Sequence, residues 1–304
     1  MNAILNALGP VFLIVLTGAL LGRLRFPGDD FWPLAERFTY TILFPALLVY
    51  KLAKAPFEQV SGLQIIWSVS LPLIMATLVL LLLSPWLVAG GAAFTSLFQG
   101  SIRFNTYVGL AAAEQLFGEE GLVIAAMVMA VMIPLINLLC VLVFALKTGE
   151  HSLSVGRVFQ DVAKNPLILG CVVGILLNIS GIGLPYWFDP FLSLISQPAL
   201  PLGLLAVGAG LDLAMLGISS RPIILSGIIK LLIMPLLAWE IGTWIGLVGV
   251  ERQVVVLFFS LPTAPSAYIL ARQLGGDAAL MAAIITAQAL LAMVTMPLIM
   301  GWLF

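Results

Sequence analysis

Long apolar runs constrain this chain more than any other feature of its sequence. A helix that crosses a bilayer needs about 20 mostly apolar residues. Ten runs of roughly that length lie near 4–22, 34–53, 63–88, 93–117, 121–146, 165–183, 190–213, 222–247, 253–274 and 278–302. With 62% hydrophobic and 9% charged residues, the chain has too little charged surface for a soluble domain. The sequence predicts an all-α integral membrane protein with ten transmembrane helices.

The loops predict the orientation of these helices. Cytoplasmic loops of membrane proteins carry an excess of Lys and Arg, and here eight basic residues fall on one side and three on the other. The richer side holds Arg23, Arg25, Arg37, Lys147, Arg157, Lys164, Arg221 and Arg272, and the poorer side holds Lys51, Lys54 and Arg252. We therefore expect a multi-pass protein of the cell inner (plasma) membrane, with both termini outside and loop 147–164 in the cytoplasm.

The two halves of the chain resemble each other. The segment "GPVFLIVLTGALLG" (9–22) aligns with "NPLILGCVVGILLN" (165–178) at an offset of 156, which pairs Gly18 with Gly174. Chance similarity between apolar stretches is the alternative explanation, but the matched prolines and glycines argue against it.

A second alignment supports the repeat. The segment "EQLFGEEGLVIAA" (114–126) aligns with "RQLGGDAALMAAI" (272–284) at an offset of 158. Each half, 1–146 and 165–304, holds five predicted spans, and an odd number turns the second half upside down relative to the first. The pattern predicts two inverted five-helix repeats, a common plan of secondary transporters.

Two of the predicted spans are interrupted near their middle. The ninth run carries "LPTAPSA" (261–267), and the fourth carries "RFNTYVG" (103–109) at the equivalent position. Proline lacks a backbone N–H and disrupts the preceding turn, and polar groups freed within lipid need protein or water partners. Irregular backbone at this depth predicts a protein-lined cavity where broken helices 4 and 9 cross. The alternative is that the prolines merely kink an ordinary span.

The predicted crossover suits an anion. Helix N-termini carry partial positive charge and free N–H groups, and Asn, Thr and Ser are good capping and ligand-contacting residues. The candidate substrate-binding residues are Arg103, Asn105, Thr106, Lys230, Pro262, Thr263, Pro265 and Ser266.

Two of these candidates are charges within predicted spans, where a charge is costly and indicates function. The planar guanidinium of Arg103 suits a carboxylate. The alternatives for Arg103 are a structural pair with Glu114 or Glu240, or snorkelling to the membrane surface. Lys230 could neutralise a substrate or bond to a carbonyl of the crossover.

Essentially the whole chain resembles the auxin efflux carrier family, which includes bacterial organic-acid permeases and the plant PIN-formed auxin carriers. The resemblance rests on "LGPVFLIVLTGALLGRL", "FTYTILFPALLVYKLA", Asn105 in the fourth span, and "LPTAPSAYILARQLGGD". It implies crossed helices 4 and 9 and an elevator motion. It also implies a scaffold of spans 1, 2, 6 and 7, often dimeric, and a moving transport unit of spans 3–5 and 8–10.

The chain departs from the plant members at two points. Thr106, rather than proline, follows Asn105, and the central loop is short. Both differences weaken the case for auxin itself, and the resemblance favours a small carboxylate, either auxin-like or similar to malate or malonate.

These observations predict a secondary active transporter of a small organic anion, a mono- or dicarboxylate, with the substrate at the crossover. Coupling to protons would need a titratable group, for which the candidates are Lys230, Glu114 and Asp212. Coupling to sodium would need oxygens, which could come from Asn137, Thr286, Gln288 and Thr295. An anion channel and a ligand-binding sensor on a transporter fold are the alternatives.

Several other classes of function are disfavoured. The sequence contains no His-Glu metal motif, no aspartate-rich prenyl-phosphate motif and no Gly-x-Ser-x-Gly elbow. We therefore expect no enzyme activity, no cofactor and no metal. No basic run suggests a nucleic-acid partner. The expected partners are the substrate, the lipid bilayer and a second copy of the chain bound through the scaffold.

Overall fold

The structure, a computed structural model, describes residues 2–28, 30–55, 61–148, 160, 163–217 and 220–304. Every regular element within these ranges is helical. Most of the predicted cytoplasmic loop, residues 149–159 and 161–162, lies outside the described residues.

The helices of the first half begin with a single uninterrupted helix and end with a long kinked one. They are α1 (Asn2–Arg23), α2 (Phe31–Phe38), α3 (Phe44–Leu52), α4 (Gly62–Leu87), α5 (Gly91–Ile102) and α6 (Thr106–Thr148). A π-helical turn, Thr39–Leu43, joins α2 directly to α3. Gly118 has a non-helical backbone (φ 63°, ψ −144°) and divides α6 into residues 106–117 and 119–148.

The second half contains shorter helices before a final long one. They are α7 (Pro166–Ile179), α8 (Phe188–Ser196), α9 (Ala199–Ala209), α10 (Ser220–Ile228), α11 (Met234–Ile245), α12 (Gly249–Ser260), α13 (Ser266–Gln273) and α14 (Ala278–Leu303). A 3-10 turn, Leu213–Gly217, precedes α10, and a π-helical turn, Ile229–Ile233, joins α10 to α11.

Six helical stretches in the described residues are long and apolar enough to cross a membrane. They are Asn2–Arg23, Gly62–Leu87, Gly91–Thr148, Phe188–Ala209, Arg221–Ile245 and Ala278–Leu303. The fourth and fifth predicted spans share one of these stretches, which Gly118 divides. The second, sixth and ninth predicted spans fall on helices that are shorter or interrupted. The part of the chain that the structure describes is therefore all-helical and suited to a membrane, and the count of ten spans stays a prediction.

Close packing through glycine joins the first and second halves. Helix α1 packs chiefly against α9, and α3 packs against α7 and α8. A Cβ atom added at Gly18 would collide with the carbonyl oxygen of Leu205, and one added at Gly174 would lie 3.2 Å from the Cα of Val49. Gly18 and Gly174 are 156 residues apart, and so are Val49 and Leu205. The two contacts thus join pairs of positions that are related by the same offset of 156.

The remaining helices form a second group of neighbours. Helix α4 packs against α6 and α11, α12 packs between α6 and α11, and α14 contacts α10 and α13. The two interrupted regions, between α5 and α6 and between α12 and α13, lie within this group. The fold thus surrounds both breaks with helices from both halves of the chain.

Candidate functional site: the crossover of two interrupted helices

Two helix interruptions meet in the interior of the protein. Helix α5 ends at Ile102 and α6 resumes at Thr106, while α12 ends at Ser260 and α13 resumes at Ser266. The backbone N–H of Asn105 donates a hydrogen bond of 2.8 Å to the carbonyl oxygen of Pro262. This bond satisfies one carbonyl that the proline-rich segment leaves outside a helix. It also fixes the two interruptions to each other.

The side chain of Asn105 caps the helix that follows it. Its Oδ1 accepts hydrogen bonds from the N–H groups of Tyr107 (3.1 Å) and Val108 (3.2 Å). These are two of the donors that the first turn of a helix cannot satisfy internally. Asn105 is only 2% exposed, so the cap is shielded from water. The side-chain oxygen of Asn105 is therefore engaged by the backbone of α6.

Thr263 is held by a second hydrogen-bond network, which involves Gln288 and the backbone of Gly100. Its N–H donates to Oε1 of Gln288 (3.1 Å), and its hydroxyl lies 2.7 Å from the same oxygen and 3.0 Å from the carbonyl oxygen of Gly100. The amide nitrogen of Gln288 donates to that carbonyl at 2.8 Å. Thr263 and Gln288 are both buried. The network connects the interruption in α12–α13 to α5 and α14.

The hydrogen-bond partners of Arg103 within the described part of the chain are all neutral. One guanidinium nitrogen donates to Oδ1 of Asn137 (3.3 Å) and lies 3.9 Å from the Cys140 sulfur, and the other donates to Oγ of Ser266 (3.3 Å). The ion pairs found among the described residues join Lys51 to Glu114 and Glu119, and Lys54 to Asp189. The charge of Arg103 therefore has no carboxylate within ion-pair distance in the described part of the chain.

Two adjoining cavities lie at the crossover. The smaller, which we call the inner chamber, has a volume of about 130 Å³ and is lined by residues that include Arg103, Asn137 and Asn165. The larger, the outer chamber, has a volume of about 440 Å³ and is lined by residues that include Glu36 and Arg37. The residues that line both chambers are Tyr40, Thr106, Ala264 and Ser266. One ligand could thus extend from one chamber into the other.

Glu36 lines two further cavities beside the outer chamber. One, of about 240 Å³, is lined by Arg25 and Glu36 among others. The second, of about 440 Å³, is lined by Glu36, Asp212 and Pro265 among others. Arg25, and Arg37 in the outer chamber, belong to the side of the protein that is richer in Lys and Arg. The cavities therefore lie toward the face that the sequence predicts to be cytoplasmic.

The structure brings most of the predicted site residues together. Asn105, Thr106, Pro265 and Ser266 line the outer chamber, and Arg103 lines the inner one. Pro262 contributes its carbonyl oxygen to the bond with Asn105, and Thr263 faces the network that involves Gln288. The latter two therefore support the backbone that forms the chambers.

Lys230 lies apart from these residues. It belongs to the π-helical turn Ile229–Ile233, is fully buried, and has its Nζ 5.9 Å from the centre of the Phe259 ring. No hydrogen-bond partner for this nitrogen is found among the described residues. Its predicted bond to a crossover carbonyl is thus not made in this structure, and its predicted contact with substrate stays a prediction.

The residues considered for ion coupling make several contacts of their own. Asn137 accepts from Arg103, and the hydroxyl of Thr286 accepts from the N–H of Asp212 at 3.1 Å. Glu114 lies 3.9 Å from Lys51. Sodium or proton coupling through any of these groups stays a prediction.

Sequence reasoning missed several residues of the chambers, among them Glu36, Tyr40 and Asn165. The amide of Asn165 donates to the Tyr40 hydroxyl at 3.1 Å, across 125 residues of chain. Asn165 also caps α7, because its Oδ1 accepts from the N–H of Leu167 at 2.9 Å. Glu36 lies near the start of a predicted span, where a charged residue is ordinarily assigned to the adjoining loop. Tyr40 and Asn165 belong to segments that indicate the family and the repeat, but neither segment identifies them as site residues.

Comparison with known proteins identifies the family of this chain. A family model described as "Membrane transport protein" matches residues 3–300. The chain is also 25% identical over 293 residues to an uncharacterized transporter of Methanothermobacter thermautotrophicus, with 95% of this chain and 94% of that protein covered. A match over nearly the full length shows the family. This protein is a multi-pass membrane transport protein, and it belongs to the auxin efflux carrier family, whose motifs its sequence carries.

Proposed function

We propose that this protein is a secondary active transporter of a small organic anion, a mono- or dicarboxylate, that binds at the crossover of the interrupted helices. The observation that carries the proposal is the environment of Arg103. Its guanidinium lines the inner chamber and, among the described residues, contacts neutral groups of Asn137, Cys140 and Ser266. Arg103 is half-buried, and a charge partly withdrawn from water without a counter-ion is costly. A carboxylate ligand would offset that cost with charge-assisted hydrogen bonds.

The size of the inner chamber supports a small anionic group. A volume of about 130 Å³ has room for a carboxylate with a short stem, and the outer chamber adds about 440 Å³ for the rest of the ligand. Helices α6 and α13 both begin at the crossover, so their N-termini add partial positive charge there. The chambers lie toward the predicted cytoplasmic face, which fits a carrier open to the cytoplasm.

The packing of the helices supports an elevator-type alternating access. The glycine contacts between α1 and α9 and between α3 and α7 are suited to a rigid scaffold. The hydrogen bonds that fix the two interruptions to each other and to α14 are suited to a unit that moves as one body. The equivalent contacts of Gly18 and Gly174 support the inverted repeat, from which two access states of similar energy would follow.

An anion channel and a ligand sensor are the competing functions. A channel needs a continuous lined pore, whereas the chambers lie toward one predicted face. A sensor would bind the anion without moving it. Measurements of flux distinguish a carrier from a channel and from a sensor. Measurements of binding show whether the protein has an anion site.

Binding can be tested on the purified protein in detergent. We would measure the thermal midpoint with lactate, malonate, malate and indole-acetate, each with and without sodium. A ligand that binds only the folded state at a hundred times its Kd adds about 2.7 kcal/mol of stability. We expect at least one acid to raise the midpoint of the wild type and to lose this effect in Arg103→Gln.

The matched control removes an arginine that lines neither chamber. Arg221 is exposed and donates to the carbonyl oxygen of Trp86 at 3.0 Å, so Arg221→Gln should keep the ligand-induced shift. The proposal fails if no acid shifts the wild type, or if Arg103→Gln keeps the shift in full.

A further inference from the structure

The chambers at the crossover contain two opposite charges in different positions. Arg103 lines the inner chamber, while Glu36 lines the outer chamber and two cavities beside it. Glu36 lies on α2, which packs against α9; Arg103 lies at the end of α5. An anion held by Arg103 would therefore extend its far end toward a carboxylate on a different group of helices.

Glu36 is not neutralised by an ion pair within the described residues. The three ion pairs found there involve Lys51 and Lys54 only. Of the charged residues that line the same cavities, Arg25 and Arg37 are exposed, whereas Glu36 is half-buried. The fourth, Asp212, is also acidic. Glu36 is thus the more buried charge beside the outer chamber, and the two arginines lie nearer to water.

The electrostatic consequence depends on the far end of the ligand. Two like charges at close range repel, and the repulsion grows as the surroundings become less polar. A second carboxylate in the outer chamber would meet the carboxylate of Glu36 there. A neutral group or a hydrogen-bond donor would not be repelled and could donate to it. The carboxylate of Glu36 would thereby determine specificity by weakening the binding of ligands with a second carboxylate.

We propose that Glu36 is a specificity-determining residue that makes the crossover site select monocarboxylates over dicarboxylates. This inference rests on the proposed function, and it narrows the substrate class to acids with one carboxylate at the Arg103 end and a neutral polar group at the other. Tyr40 and Thr106 line both chambers and supply hydroxyl groups along the ligand.

The test compares two ligands of nearly the same shape. Succinate carries two carboxylates, and succinamate replaces one of them with a neutral amide. Their Kd values would be measured at neutral pH by thermal shift and by calorimetry on the purified full chain. We expect the wild type to bind succinamate more tightly than succinate, by on the order of tenfold. In Glu36→Gln the ratio should fall to near one because succinate binding improves.

Two variants serve as controls. Glu36→Asp keeps the charge and should keep the preference for succinamate. Asp212→Asn removes an acidic group that lines a neighbouring cavity but neither chamber, and it should leave the ratio unchanged. The thermal midpoint of each variant without ligand reports whether the variant is folded. If a variant is not folded, the relative affinity of the wild type for succinate and succinamate can still refute the proposal.

Three results would overturn the inference. One is equal or tighter binding of succinate by the wild type, and another is an unchanged ratio in Glu36→Gln. The third is a specific loss of succinate binding in Arg37→Gln, which would mean that the second carboxylate is accepted by Arg37. If neither ligand nor any other acid binds the wild type, the proposed function itself fails, so the two failures can be told apart.

Discussion

The backbone nitrogen of Asn105 lies 2.8 Å from the carbonyl oxygen of Pro262 and donates a hydrogen bond to it. The two residues are 157 positions apart and belong to the interruptions of different halves of the chain. Proline at position 262 and its neighbour Pro265 leave carbonyl groups without helical partners. The bond satisfies one of them inside the protein, which a membrane interior requires because lipid offers no partner.

The cap at Asn105 should contribute measurably to stability. In Asn105→Ala, the N–H groups of Tyr107 and Val108 lose their acceptor, and loss of such a cap costs about 1 kcal/mol. The thermal midpoint in detergent should fall. Asn105→Asp keeps an acceptor at the same place and should retain more of the stability. An Ala variant as stable as the wild type would show that the cap is unimportant.

Substitution of Gln288 should lower the stability of the protein, although this residue lines neither chamber. In Gln288→Leu, the buried N–H of Thr263 loses its acceptor, while the carbonyl of Gly100 keeps the Thr263 hydroxyl as a partner. A buried group left without a partner costs roughly 1–3 kcal/mol, so the midpoint should fall clearly. Thr41→Val removes an exposed hydroxyl that bonds only within its own helix and should change little. Equal effects of the two substitutions would contradict the proposed network.

Gly208→Ala should separate α1 from α9. Its new methyl group would collide with the carbonyl oxygen of Val15, and neither backbone can yield without moving a helix. Gly227→Ala is the matched control, since its methyl group would lie 3.8 Å from Leu291 in ordinary contact. We expect a large drop in the thermal midpoint for the first variant and little change for the second. A well-folded, stable Gly208→Ala protein would disprove the close approach.

The ion pair between Lys51 and Glu119 (2.8 Å) should make a small, pH-dependent contribution to stability. The hydrogen bond from Lys51 holds the pKa of Glu119 below its usual value. The contribution is therefore complete above the pKa of an unfolded glutamate, about 4.3, and is lost as the pH falls through the lower pKa of the folded state. The Glu119 side chain is 83% exposed, so solvent screens the pair.

This prediction is checked by the thermal midpoints of the wild type and Glu119→Gln between pH 7 and pH 3. The difference between them should be small at neutral pH and should vanish in acid. A difference that grows as the pH falls would contradict the assigned sign.

Much of the fold was predictable because a membrane protein displays its helices as apolar runs. Both interruptions were also predictable. Pro262 and Pro265 are poorly tolerated inside a helix, and the repeat aligns their segment with the segment that contains Asn105. The family was predicted from its motifs and is confirmed by the full-length match. The ten-span inverted repeat and the substrate stay predictions.

The details of the site were less accessible from sequence. Capping and ligand contact draw on the same residue types, so sequence could not tell whether Asn105 and Thr263 face the backbone or the cavity. The partners of Arg103 come from positions 137, 140 and 266, whose proximity depends on tertiary packing. Lys230 illustrates the same limit, because a charge within a span indicates function without indicating which groups it contacts.

The central claim, that this protein carries an organic anion by alternating access, is tested most directly by counterflow in proteoliposomes. Vesicles loaded with unlabelled carboxylate would receive a trace of the labelled acid outside, chosen from those that stabilise the wild type. A carrier should accumulate label transiently above its equilibrium level, and Arg103→Gln should lose this overshoot while Arg221→Gln keeps it. Label that only equilibrates without an overshoot would indicate a channel, and binding without any flux would indicate a sensor; either result contradicts the account.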